Sequence, residues 1–272
     1  SSINAYDGTL GLKGAGQTAL KVGGFSGTPL AQGQVLTYYD TQGNQLASGT
    51  IAAVDGDKIF INGKSLGFQL PAEQNGKTIQ AIGDAKLNTT TKKFGSASLQ
   101  LDGVGDAAKI NTNADFGFGT GDFTIDFWAY PNAVQTTSLI DMRNNVSVEN
   151  ALYFYVENNV PKVYVNGSVI ITGSQGFNLS VWTHCEIVRS SGTITVYING
   201  SSVGSASASA DFANAKPFVI GNNFGNTNGW NGYIDALRVY KGQALHTGNF
   251  TAPTTEAVGN ANTKLVANFN GN

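Results

Sequence analysis

Glu73, Glu149, Glu157, Glu186 and Glu256 are the only glutamates of the chain, and none is followed two places later by an aspartate. A glycoside hydrolase needs two carboxylates across the scissile bond, one protonated as the acid and one ionised as nucleophile or base. The scattered glutamates offer no such ready pair, and the sequence reads as that of a protein that is not an enzyme. His184 and His246 are the only histidines, and Cys185 is the only cysteine. Adjacent residues of a strand point to opposite faces, so His184 and Cys185 do not readily grip one zinc ion. No Gly-x-Ser-x-Gly elbow or GxxxxGK[ST] loop occurs, and the Gly-rich stretch GTLGLKGAG lacks the strand–helix–strand context of a nucleotide site.

Three aspartates carry more weight: Asp102, Asp106 and Asp235. In Tyr233–Tyr240 (YIDALRVY), strand alternation places Asp235 on the face of Leu237 and Val239. A carboxylate on a core face must be paired, hydrogen-bonded or coordinated. On the residues alone it accepts from turn amides or pairs with Arg189, while Asp102 and Asp106 shape a Gly-containing turn. For sugar recognition the candidates are loop aromatics and amides, because an aromatic face stacks on the C–H face of a pyranose and Asn, Asp or Gln reads its hydroxyls. Two loops fit: Arg143–Asn150 (RNNVSVEN), with Arg143, Asn144 and Asn145, and GNNFGNTNGWNGY, with Asn223, Asn226 and Trp230. Packing at a sheet end is the competing reading for Trp230, and Trp128 and Trp182 read as core. Tyr153 and Tyr155 share one strand face opposite Leu152, Phe154 and Val156, and could line a concave sheet surface or cover an interface.

The elements that must position these residues are strands. The chain has 272 residues, 41% of them hydrophobic, enough for a sizeable core, and 35 glycines against 6 prolines with no G-x-y period. Tight turns between short strands rich in Val, Ile, Phe and Tyr define an all-β class. Only 12% of residues are charged and the net charge is -2, so no polycationic surface draws nucleic acid or anionic lipid. A lone cysteine makes intrachain disulfides impossible, and Cys185 is expected to be a buried thiol. No basic n-region precedes an apolar run and no window approaches a membrane span, so neither export nor membrane insertion is expected. Six Asn-x-Ser/Thr sequons, Asn88 and Asn249 among them, follow from the abundance of Asn, Ser and Thr and from turn chemistry.

Two domains are expected. In residues 1–76, VLTYYD, QLASGTIAAV and KIFING, with Asp55-Gly56 between the last two, predict a three-stranded meander in a small β domain. Its Gly-rich start reads either as an arm lying on a neighbour or as a loop-rich edge. From residue 77 the strands lengthen: Ser98–Asp102, Phe123–Tyr130, Leu152–Val156, Lys162–Val165, His184–Arg189, Thr193–Ile198, Pro217–Ile220 and Tyr233–Tyr240. With no amphipathic helix between them, they predict two packed antiparallel sheets. The last stretch, TKLVANFNGN, is a further strand with nothing after it to pair with.

The ordered motifs KKFGSASLQLDGVGDAAKI, FGFGTGDFTIDFWAYP, VWTHCEIVRSSGTITVYINGSSVGS, FVIGNN and WNGYIDALRVYKGQALHTGNFTAP resemble the concanavalin A-like, laminin G-type jelly-roll module of bacteriophage structural proteins and bacterial surface proteins, over roughly Asp84 to Pro253. The resemblance implies a jelly-roll sandwich over 77–272. Such modules usually open with a strand like LLLHFDG, which is missing from its usual place. TKLVANFNGN is similar to it, so residues 263–270 are expected to close the sandwich within the chain, the alternative being addition to the sheet edge of an adjacent subunit. In similar modules the Asp of the LDG turn and that of the GYID strand lie close enough to help hold a structural Ca²⁺, which suits oxygen ligands; here these are Asp102 and Asp235, with Asp106 nearby. The function implied is a non-enzymatic virion structural protein, a capsid decoration or tail-fibre element, assembled in the host cytoplasm. It docks on other virion proteins through its N-terminal domain, acts in several copies and contacts host-surface glycans. The alternative is a carbohydrate-binding adhesin, extracellular or on a bacterial surface.

Overall fold

The computed structural model describes residues 77–144 and 149–270 in full and, before residue 77, the backbone of six strands. The chain divides into two compact units between Phe68 and Gln69. In the first, β1 (Gly11–Leu12), β2 (Gln17–Lys21), β3 (Val35–Tyr39), β4 (Gln45–Asp55) and β5 (Lys58–Asn62) form one antiparallel sheet in the order β1-β2-β5-β4-β3. The meander read from the hairpin signals is β3-β4-β5, and Asp55 pairs with Lys58 across a two-residue connection. Residues 41–44, between VLTYYD and QLASGTIAAV, and most of the Gly-rich opening segment lie outside the described residues.

The second unit contains β6 (Gln69–Pro71), β7 (Thr78–Ile82), β8 (Lys86–Asn88), β9 (Ser98–Asp102), β10 (Ala107–Asn113), β11 (Phe123–Pro131), β12 (Thr137–Asp141), β13 (Tyr153–Glu157), β14 (Val160–Val165), β15 (Ser168–Thr172), β16 (Thr183–Ser190), β17 (Thr193–Ile198), β18 (Ser201–Ser207), β19 (Lys216–Ile220), β20 (Asn231–Lys241) and β21 (Thr263–Ala267). One sheet has the order β15-β14-β13-β12-β19-β10-β7-β6; the other has the order β18-β17-β16-β11-β20-β9-β8, with β21 also on β20. Both are antiparallel, and among the described residues the only helical element is a 3-10 turn at Ala114–Phe116. Phe123, Ile125, Phe127 and Ala129 of β11 alternate inward and meet Ile140, Phe154, Val156, Phe218 and Ile220 of the facing sheet in one apolar core. The protein is all-β, and its second unit is a two-sheet sandwich. Cys185 is a buried free thiol in this core, where burial pushes its pKa well up.

The terminal strand pairs within its own chain. β21 runs antiparallel to the second half of β20, with Leu237 opposite Ala267 and Val239 opposite Leu265, and it buries Leu265, Val266, Ala267 and Phe269. The first half of β20 pairs with β9 on the same edge, Asn231 opposite Asp102 and Ile234 opposite Leu99. Two strands from distant parts of the sequence thus lie end to end along one long strand.

At their junction the alternation read from the sequence fails. Ala236 adopts φ 49°, and the β20–β11 register slips between Asp126 and Trp128. The slip is a β-bulge, which returns Leu237 to the core but leaves Asp235 opposite Trp128 on the outward face. Asp235 therefore does not share the face of Leu237 and Val239. Its carboxylate accepts from the backbone amides of Lys93 (2.8 Å), Phe94 (3.1 Å) and Ala236 (2.7 Å), fastening the 93–94 turn over the seam.

Candidate functional site

Of the predicted binding residues, Arg143, Asn144, Asn223 and Asn226 lie where loops 83–84, 102–106, 141–144 and 222–230 adjoin. β12 ends in Asp141, which is fully buried, and the chain turns at once so that Arg143 folds back on it. Arg143 donates to Asp141 from its backbone N (2.9 Å), Nε (2.9 Å) and Nη2 (2.7 Å), and the amide of Phe224 also donates to this carboxylate (3.0 Å). Burial opposes the charge of Arg143, but the Asp141 carboxylate holds its pKa above the usual value. The guanidinium lies 3.8 Å from the centroid of Tyr153 and 4.8 Å from that of Phe224.

Tyr153 and Tyr155 project from one face of β13, as their spacing predicts, and stack at 4.9 Å and 13°. Tyr164 of β14, directly opposite Tyr153, meets it edge to face at 6.0 Å. The Tyr153 hydroxyl is 2.8 Å from Ser138 Oγ and 3.4 Å from Asn228 Nδ2. The result is a half-buried tyrosine surface backed by an arginine and rimmed by amide side chains.

Asn223 and Asn226 belong to this rim. Asn223 Oδ1 accepts from the Thr227 amide (3.0 Å), and Asn226 Nδ2 donates to the Gly105 carbonyl (2.8 Å). Asn222, overlooked in the sequence, is buried and donates to the Asp106 carbonyl (2.9 Å) and to Asn226 (2.7 Å). Asn144 donates to Glu149 from its amide (2.7 Å) and Nδ2 (2.6 Å), and Glu149 also pairs with Lys216. Both ends of the 143–150 loop are thereby held beside a polar cleft of ≈ 470 Å³ lined by Glu149, Asn150, Asn166, Asp211, Asn214 and Lys216. Asn145 lies outside the described residues. Trp230 does not join the site: it is 0% exposed and meets Phe177 edge to face at 5.9 Å, so the sheet-end packing reading is the one observed and no ring face is open to a ligand.

The metal candidates separate. Asp102 and Asp106 are together, but their third partner is Asp84 of the β7–β8 turn, and one carboxylate oxygen from each lies within 4.8 Å of the others. Asp235 is tied to the 93–94 turn instead. Asp106 accepts from the amides of Asp84 (2.8 Å) and Asp102 (3.0 Å), and burial raises its pKa to about 6, with the neighbouring carboxylates adding to the shift. Oxygen donors in a turn of this kind suit a hard cation such as Ca²⁺. Asp84 and Asp102 are exposed, and Asp106 is buried beneath them.

Among the described residues, a further group of buried and half-buried ionisable side chains lies elsewhere, on the outward face of the other sheet. Asp126 of β11 sits between Glu186 of β16 and Arg238 of β20. Arg238 Nε donates to Asp126 (3.0 Å), and His184 Nε2 is 3.3 Å from it. His246, from the segment joining β20 to β21, places Nδ1 2.9 Å from Glu186 and stacks on Phe250 at 3.6 Å. Burial works against its charge, but His184 and Arg238 hold Asp126 below the usual carboxylate range, whereas burial and Asp126 push Glu186 up to about 9. The two histidines are therefore neighbours, each with a carboxylate partner. Gly200 permits the covering segment to lie close, since a Cβ there would fall 1.9 Å from the Phe250 carbonyl oxygen.

Comparison with known proteins locates this architecture. The family model Laminin_G_3, described as the concanavalin A-like lectin/glucanases superfamily, matches residues 102–247. Among curated proteins none matches. Domain 4 of AbnA, a GH43 extracellular arabinanase from Geobacillus stearothermophilus in complex with arabinotriose, is 19% identical at a TM-score of 0.44, covering 64% of this chain and 80% of that one. The binding domain of botulinum neurotoxin serotype D is 15% identical at a TM-score of 0.47, covering 64% and 45% respectively, so the match spans under half of that chain. A native heptameric SAP-like pentraxin from Limulus polyphemus is 18% identical at a TM-score of 0.38, covering 66% and 76%.

Proposed function

The chain belongs to the concanavalin A-like lectin/glucanases superfamily, and from that premise we propose that it is a non-catalytic, carbohydrate-binding structural protein of a bacteriophage virion. The observation that carries the binding reading is the Arg143–Tyr153–Tyr155 stack beside the amide-rich 222–228 loop. An aromatic surface next to fixed donors and acceptors suits the apolar and hydroxylated faces of a sugar ring. The non-catalytic reading is supported by three carboxylates around that surface, of which Glu157, on the strand face of Tyr153 and Tyr155, pairs with Lys162. Asp141 is committed to Arg143 and the Phe224 amide, and Glu149 to Asn144 and Lys216. A hydrolase would need one of them free to share a proton with a glycosidic oxygen.

The virion setting rests on the order of the sequence motifs. In this reading the N-terminal unit attaches to other virion proteins, several copies act together, and the sandwich is displayed toward host-surface glycans. Asp84, Asp102 and Asp106 would hold a Ca²⁺ that stiffens the loop end. A glycan array probed with the full chain and with Tyr155→Ala tests the binding reading: saturable binding lost in the variant supports it, and release of reducing sugar by the wild type refutes the non-catalytic part. Gene neighbours test the setting, which a secretion or cell-wall locus would overturn.

A further inference from the structure

We propose that the outward face of the β11 sheet carries a second carbohydrate-contact surface, an aromatic row laid across three neighbouring strands that receives an extended, uncharged glycan chain. The inference rests on the glycan-binding reading above but assigns a different sheet and different residues. Lys86, Gln100, Tyr233 and Tyr130 follow one another in register across β8, β9, β20 and β11. Thr183 opposes Ala129, which brings Trp182 beside Tyr130. The ring centroids of Trp182 and Tyr130 are 5.6 Å apart with planes at 59°, and those of Tyr130 and Tyr233 are 5.6 Å apart at 75°, so neighbouring rings are inclined to one another. Trp182, read from the sequence as core, packs against the outward Trp128–Ala236 cluster but is only half-buried, as are both tyrosines.

The spacing selects the ligand. The rings step by 5.6 Å from strand to strand, close to the length of one pyranose residue, so successive sugars meet a ring face or a ring edge in turn. One step further along the strands runs a polar row of Asn132, Asn231 and Asp102, in which Asn132 Nδ2 donates to Asn231 Oδ1 at 3.0 Å and Asn231 opposes Asp102. An aromatic line beside an amide and carboxylate line matches the alternation of C–H faces and hydroxyl edges along a sugar chain. Lys86 and Lys93 border the strip on one side and the Asp84–Asp102–Asp106 group on the other, so charge of both signs adjoins it and no single sign selects a charged polymer. Opposite the polar row Lys93 and Phe94 close over Trp128, at 3.8 Å and 5.9 Å, and bound the strip. Singly exposed aromatics need no explanation; three in register beside a polar row form a built surface.

The test is isothermal titration of the full chain with cello-, xylo-, manno- and arabino-hexaose, comparing wild type with Trp182→Ala, Tyr233→Ala, the strand-compatible Tyr233→Thr, and Tyr155→Ala, each first checked by thermal melting. The row variants are expected to weaken binding of at least one neutral hexasaccharide about three- to tenfold, as loss of one aromatic contact implies, with shorter chains less affected. Row variants that bind as wild type does, while Tyr155→Ala abolishes binding, overturn the second surface and leave the first. A wild type that binds none of the probes overturns the glycan reading and this inference with it. Row variants with a smaller mass in light scattering would assign the face to contact between copies of the chain and also overturn it.

Discussion

Leu265→Ala probes whether the chain closes its own sandwich. Leu265 is 0% exposed, faces the common core and opposes Val239. The substitution removes three carbons, about 2.4 kcal/mol of transfer free energy at about 0.8 kcal/mol each, and a residual cavity raises the loss to about 3–4 kcal/mol. In a unit of this size, Gln69–Gly271, each kcal/mol moves Tm by about 2–4 °C, so the melting point should fall by roughly 6–16 °C. Tryptophan fluorescence is a suitable probe because Trp128, Trp182 and Trp230 all lie in that unit. Lys264→Ala, one residue away and half-buried, should change stability by no more than about 0.5 kcal/mol. If both variants melt together within about 2 °C of wild type, the terminal strand is not part of the core and the reasoning fails.

Glu186 titrates high, from the ordinary 4.5 to about 9, because it is buried beside Asp126. A raised folded-state pKa favours folding fully below the unfolded value, and that contribution is lost as pH rises through the folded value. Thermal melts should therefore fall between about pH 5 and pH 9 in the wild type and less steeply in Glu186→Gln, which should be the more stable at pH 9; parallel profiles would contradict this. Arg143→Ala leaves Asp141 charged and buried, so urea unfolding should show a loss of about 3–5 kcal/mol, and a loss under about 1 kcal/mol would show that the pair is not desolvated. Ca²⁺ at ten times its dissociation constant should stabilise by about 1.4 kcal/mol, or roughly 3–6 °C, and Asp102→Asn should abolish the effect. An equal shift in Asp235→Asn and wild type would agree with the observed Asp84–Asp102–Asp106 grouping, whereas loss of the shift in Asp235→Asn alone would oppose it.

What could be read from the sequence was what alternation records. β9 and β17 have the bounds their patterns predict, because SLQLD and TITVYI keep one face apolar. β12 escaped notice because TSLID is buried on both faces and carries no period of two. β18, SSVGSAS, is short of the β-branched residues that mark a strand. Overlooking β7 and β8 also hid Asp84, the third carboxylate of the turn cluster. The Tyr153–Tyr155 pair followed from residue spacing, but its arginine partner depends on where β12 ends, which spacing does not encode. A bulge at a non-glycine residue has no sequence mark either, so the side on which Asp235 lies was read wrongly. The buried network did leave a sign: Asp126, Glu186 and Arg238 are charges in the middle of otherwise apolar strands, and only their register shows that they meet.

The most direct test of the binding claim is amide chemical-shift mapping of the sandwich during titration with an oligosaccharide that the glycan array selects. The account predicts perturbations at Arg143, Tyr153, Tyr155, Tyr164 and Asn222–Asn228, joined by Tyr130, Trp182 and Tyr233 where the sugar also occupies the second surface, with no cleavage of the sugar over the titration. Shifts confined to the Glu149–Lys216 cleft or to the segment covering Glu186, or accumulation of a shortened sugar, would contradict it.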